Sequence, residues 1–128
     1  MGVALRPASR RVAGFFGAVV RYQLDSLISR HGRGAFPWGT LVVNLTGCFL
    51  LGLLFTVSSG RLDANPALRT ALTVGFVGAY TTFSTFSLQA VRLTEDGAVA
   101  LALGYVAASV VIGLLAAWAG MATGRAVA

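Results

Sequence analysis

The chain has 128 residues, which suits one domain. Its content, 56% hydrophobic and 11% charged, departs from the soluble average of about 45–50% and about 25% toward that of a membrane protein. All ten basic residues are arginines, opposed only by Asp25, Asp63, Glu95 and Asp96. They mark the ends of apolar segments instead of forming one stripe, which suits lipid headgroups and excludes nucleic acid as a partner. A single Cys48 and a single His31 exclude an intrachain disulfide and a Cys/His metal site built by one chain.

Four apolar segments follow, at about 12–28, 37–57, 67–91 and 98–122, each near the ~20 residues that span ~30 Å of hydrocarbon as a helix. Before the first, Ser9-Arg10-Arg11 resembles a twin-arginine start. Arg21 and Asp25 soon interrupt the apolar run and no clear cleavage site follows, so the arginines read as the anchor of a first membrane helix. Within that helix Arg21 and Asp25 stand at i and i+4, the spacing of an ion pair near a helix end. The alternative is that Arg21 draws anions into a vestibule.

In the second segment Pro37 fits a first helical turn. Thr40, Asn44 and Gly47 follow at i, i+4 and i+7, and so share one face. An amide in lipid must find partners, so Asn44 faces protein or a pore. A bond that merely joins two helices is the other reading. Cys48 reads as a small apolar residue.

The third segment, introduced by Pro66, carries GFVGAYTTFSTFS at 75–87. Gly75 and Gly78 weaken the helix where lipid forbids unpaired backbone, and Thr81, Thr82, Ser84, Thr85 and Ser87 place five hydroxyls at bilayer depth. Irregular backbone there survives only against protein or a water-filled path, so the run reads as the wall of a permeation pathway. Phe83 and Phe86 lie three apart on one face, beside a polar row of Thr82, Thr85 and Gln89. Ring edges are electropositive, so two rings turned edge-inward beside hydroxyl and amide donors make a wall that holds a small anion weakly enough to release it. In the fourth segment Tyr105 and Ser109 share a face, and Gly113, Gly120 and Gly124 offer flat surfaces to a neighbouring helix.

The linkers, 29–36, 58–66 and 92–97, are short and polar, so successive helices are antiparallel and both termini lie on one side. That side carries Arg6, Arg10, Arg11, Arg61, Arg69 and Arg125, six arginines, against Arg30, Arg33 and Arg92, three, on the other. The bias favours cytoplasmic termini without forbidding insertion in both directions.

Taken together, GAVVRY at 17–22, GTLVVNLTGCFLLG at 39–52 and GFVGAYTTFSTFS at 75–87 resemble the Fluc (CrcB) family of fluoride channels, and the likeness covers all four segments in order. The resemblance implies an all-α integral membrane protein: four transmembrane helices per chain, the third broken in its middle, assembled as an antiparallel dual-topology dimer of identical or paired subunits. It implies two fluoride pores at the dimer interface, lined by Phe83 and Phe86. Asn44 is then a pore amide donor, Tyr105 and Ser109 belong to a polar track with the hydroxyls of Thr82, Ser84 and Thr85, and Arg21 matches a first-helix arginine. It also implies a structural sodium ion (Na+) held by the backbone carbonyls of Gly78 and Thr81, and residence in the plasma (inner) membrane. The six-to-three arginine bias leaves room for a paired subunit of opposite bias. Rival readings are a small proton-coupled multidrug transporter, for which Asp25 is the only acid inside a span, and a non-conducting assembly subunit. The nucleophile, base and ligand sets of an enzyme are absent.

Overall fold

A computed structural model of the chain describes residues 2–32, 34–58 and 65–127. These form helices α1 (Gly2–His31), α2 (Trp38–Ser58), α3 (Pro66–Thr70), α4 (Gly78–Tyr80), α5 (Phe83–Glu95) and α6 (Val99–Val127), with a wide π-helical stretch over Ala71–Val77 joining α3 to α4. The chain therefore makes four traverses, and the third, from Pro66 to Glu95, is bent. Arg33, and residues 59–64 of the second linker with Arg61 and Asp63, lie outside the described residues.

Helices α1 and α6 run well past the apolar segments at 12–28 and 98–122. Hydropathy reports only the part of a helix that lipid touches, whereas alanine and arginine continue helix into water readily. α1 alone, at 30 residues, is about 45 Å long. Pro66 stands at the first position of α3 behind the N-cap Asn65, whose side chain accepts from Leu68 N at 3.1 Å. Pro37 falls one residue before α2 and gives its carbonyl to Leu41 N at 3.2 Å. α5 continues to Glu95, so Arg92 is helical and the last linker shrinks to 96–98, with Gly97 at φ +83°.

Two helices, Trp38–Val57 and Val99–Val127, are long and apolar enough to cross a membrane by themselves. The other two traverses miss that test for local reasons: arginines punctuate α1, and the third traverse is interrupted. α2 packs along α6, and α1 packs along the first half of the third traverse. At the α2–α6 seam a Cβ on Gly120 would overlap the carbonyl of Phe49, and one on Gly124 would meet Thr56 Cβ at 2.7 Å. The small-residue face expected of the fourth segment is thus a packing face.

The glycines of the third traverse behave otherwise than expected. Gly75 and Gly78 both remain helical, Gly78 at φ −61°, ψ −37°. Gly75 lets the α1 backbone approach, for a Cβ there would lie 2.7 Å from Arg10 O. The interruption comes one turn later, at Thr81 (φ −84°, ψ 157°) and Thr82 (φ −146°, ψ 111°), both extended.

Candidate functional site

The gap between α4 and α5 is held open from α2. Asn44 Nδ2 donates to Thr82 O at 3.0 Å, and Thr82 N donates to Asn44 Oδ1 at 2.8 Å. The side-chain amide thus pairs with a peptide unit as a neighbouring strand would, and satisfies both polar groups of the extended residue. Two residues on, Thr46 Oγ1 meets the Tyr80 hydroxyl at 2.8 Å, which fixes the end of α4. Gly47 leaves room for the Thr81 methyl, which a Cβ there would overlap. Sequence reasoning missed the Thr46–Tyr80 contact; its signal is a threonine two residues from Asn44 and a tyrosine beside the paired threonines.

Thr82 also starts α5. Its Oγ1 accepts from Thr85 N at 3.3 Å and donates to Thr85 Oγ1 at 3.0 Å. These bonds have a consequence upstream. In a continuous helix Thr82 N would serve Gly78 O, and Thr85 N would serve Thr81 O. Here the first amide goes to Asn44 and the second to Thr82 Oγ1, so both carbonyls lose their helical donors.

The expected aromatic pair is split in depth. Phe83 is 79% exposed on the surface of the chain. The Phe86 ring, 5.7 Å from it and tilted by 48°, is half-buried and lies 5.0 Å from Tyr105. Tyr105 is 0% exposed and meets Phe36 edge-on at 5.5 Å. Its hydroxyl donates to Gln89 Oε1 at 2.9 Å, a bond that the polar row of Thr82, Thr85 and Gln89 did not reveal. Ser109 Oγ, one turn beyond Tyr105, is buried without a hydrogen-bond partner. Asn44, Cys48, Thr82, Phe83, Phe86 and Ser109 border a single cavity of about 290 Å³ that opens on the surface of the chain. Ser84 is exposed, and Ser87 Oγ bonds back to Phe83 O at 2.9 Å.

Arg21 lies elsewhere, in a smaller cavity of about 190 Å³ with Asp25, Thr40 and Thr85; Thr82 borders both spaces. The ion pair expected from the i, i+4 spacing is not made among the described residues, and Arg21 has no hydrogen-bond partner there. Asp25 turns instead toward α2, where a Cβ on Gly39 would overlap its Oδ1, and it accepts from Ser29 Oγ at 3.3 Å.

Chemically, the gap joins the C-terminal end of α4, with freed carbonyls, to the N-terminal end of α5. The former suits a hard cation and the latter favours negative charge. No group of three or more His, Cys, Asp or Glu side chains that could hold a metal occurs among the described residues. Any cation at the gap would rest on backbone oxygen.

A family model described as CrcB-like protein, Camphor Resistance (CrcB), matches residues 10–121. The chain belongs to the CrcB family. A curated relative from Acidobacterium capsulatum, named fluoride-specific ion channel FluC, is 42% identical over 114 residues, 89% of this chain and 91% of its own. One of the same name from Stutzerimonas stutzeri is 48% identical over 112 residues, 88% and 90% of the two chains. One named FluC 2 from Geobacillus kaustophilus is 47% identical over 114 residues, 89% and 88%. These relatives are named as channels, not enzymes. In this CrcB chain the matched stretch takes in the Asn44–Thr82 clamp, the Phe83–Phe86 pair, the apolar helix Trp38–Val57 and most of Val99–Val127; membership in a family of channels and these apolar helices together mark a membrane protein.

Proposed function

We propose that the chain is a passive fluoride channel of the plasma membrane, working as a two-chain body with fluoride paths along the interface. The observation that carries this reading is the clamp of Asn44 on Thr82, which parts the third traverse mid-way and leaves Gly78 O and Thr81 O without helical donors. Carbonyls freed at bilayer depth need a partner other than lipid. Gly78 is exposed, and a Cβ there would meet nothing within 4 Å, so a second copy has space to approach. Two such gaps facing each other supply oxygen enough for one Na+, held by Gly78 and Thr81 of each chain. The arrangement asks for antiparallel chains, identical or paired.

Fluoride is small and tightly hydrated, so a path for it must replace water with close donors. The exposed Phe83 edge, the half-buried Phe86, the unpartnered Ser109 hydroxyl and the remaining N–H of Asn44 are such groups along one groove, and the Thr85 hydroxyl, which accepts from Thr82 and keeps its own proton, borders the adjoining cavity. Ser84 and Tyr105 flank it. None carries a fixed positive charge, which favours passage over retention. The names of the relatives support the same anion. Fluoride enters acid-exposed cells as neutral HF and dissociates inside, so a passive exit suffices.

The test is ion efflux from liposomes holding purified protein, with fluoride and chloride compared side by side. Rapid fluoride release with chloride retained is expected; equal release of both, or of neither, refutes the reading.

A further inference from the structure

Arg21 and Asp25 face one cavity and yet do not pair, and the reason lies on α2. Asp25 Oδ1 packs against Gly39, the second residue of α2. The first amides of a helix lack intrahelical acceptors, and the macrodipole favours a carboxylate beside them. Only glycine at position 39 allows this approach, because a Cβ there would also lie 2.9 Å from both Asp25 O and Ser29 Oγ. The carboxylate thus packs against the start of α2 and accepts from the Ser29 hydroxyl, and the guanidinium one turn away is left unpaired in the same cavity. Thr40, only 2% exposed, Thr82 and Thr85 form the remaining polar border of the same space.

We propose that Asp25 is a positioning residue for anion passage: its carboxylate, held on the first turn of α2, tempers the field of unpaired Arg21 in the cavity beside Thr82 and Thr85, so that an anion is drawn in and not retained. An anion site that conducts must bind enough to admit and weakly enough to release. Arg21 alone at about 190 Å³ of confined space leans toward retention; a fixed negative charge one helical turn away offsets it. The inference rests on the channel reading and adds a residue that the family resemblance did not supply.

The experiment measures initial fluoride efflux against internal fluoride concentration in liposomes, for wild type, Asp25→Asn, Asp25→Ser and Ser29→Ala, at low ionic strength and in ~1 M inert salt, where the Debye length shrinks to ~3 Å. Both Asp25 variants are expected to lower KM by about threefold at low salt without raising the maximal rate, and to converge on wild type at high salt. Ser29→Ala removes one bond to the carboxylate and no charge, so its KM is expected to move less than that of either Asp25 variant. An unchanged KM in the Asp25 variants, a shift that persists at high salt, or the same shift in Ser29→Ala overturns the proposal. Wild type that passes no fluoride sinks the channel reading and this inference together, whereas a conducting wild type matched by its Asp25 variants sinks this inference alone.

Discussion

Asn44 and Thr82, 38 residues apart in sequence, exchange two hydrogen bonds, at 3.0 Å and 2.8 Å, and that exchange interrupts the third traverse. A polar side chain on an otherwise apolar helix thereby takes the amide that would have closed one helical bond, from Thr82 N to Gly78 O. The same residue that reads as a pore donor from its type is also the strut that keeps the gap apart. These roles are compatible, because a primary amide has two N–H donors and the clamp uses one.

Asn44→Ala removes both Asn44 bonds to the Thr82 backbone and leaves Thr82 N without an acceptor. A buried polar group left unpaired costs about 1–3 kcal/mol, so a loss of roughly 2 kcal/mol in unfolding free energy is expected. Fluoride efflux should fall at least about tenfold, the factor for 1.4 kcal/mol at the path. Unfolding in detergent and liposome efflux measure the two effects. A variant as stable and as active as wild type removes the strut from the account.

The two phenylalanines should separate in their effects, because one is packed and the other is not. Phe86 touches Tyr105, so Phe86→Ile should lower stability by about 1 kcal/mol, the scale of an aromatic pair, and suppress flux as well. Phe83 is exposed on the protomer, so Phe83→Ile should suppress flux with the protomer's stability intact. Parallel thermal melts and efflux traces decide this; full flux in both variants ends the aromatic pore role.

Much of this was legible in the sequence, for specific reasons. Asn44 in a run of Leu and Val, and five hydroxyls in one apolar span, are costly in lipid and therefore announce partners. The position of the gap was not legible from the glycines. A glycine signals weak helix or close approach equally, and Gly75 serves α1. What parts the helix is a through-space bond, which no local pattern encodes. The Arg21–Asp25 pair failed similarly. The i, i+4 rule considers one helix, whereas Asp25 packs against Gly39 of α2 and accepts from Ser29 Oγ. Helix ends beyond the lipid escaped hydropathy, which is blind to helix in water.

Gly120→Leu tests the α2–α6 seam independently of the path. The new side chain would collide with the Phe49 carbonyl and crowd Leu53 N, both backbone atoms that cannot swing aside. Overpacking of this kind costs about 1–3 kcal/mol, and more where backbone must move. Lower thermal stability is expected, with α2 and α6 separating first in hydrogen exchange. A melting curve that overlays wild type shows that the seam is looser than Gly120 and Gly124 imply.

Sodium is best tested by substitution, because its proposed ligands are backbone carbonyls that no mutation deletes. Gly78 O and Thr81 O lose their amides to Asn44 and Thr82 Oγ1, so without a cation they stand bare at bilayer depth. Each unsatisfied group there costs on the order of several kcal/mol. Replacing sodium with a large organic cation should therefore shift the two-chain body toward single chains, read by light scattering in detergent, and efflux should decline in step. Thr82→Ala should weaken the dependence. It frees Thr85 N to rejoin Thr81 O and so returns one of the carbonyls to the helix. An assembly indifferent to sodium in both forms leaves the freed carbonyls to some other partner and withdraws the ion.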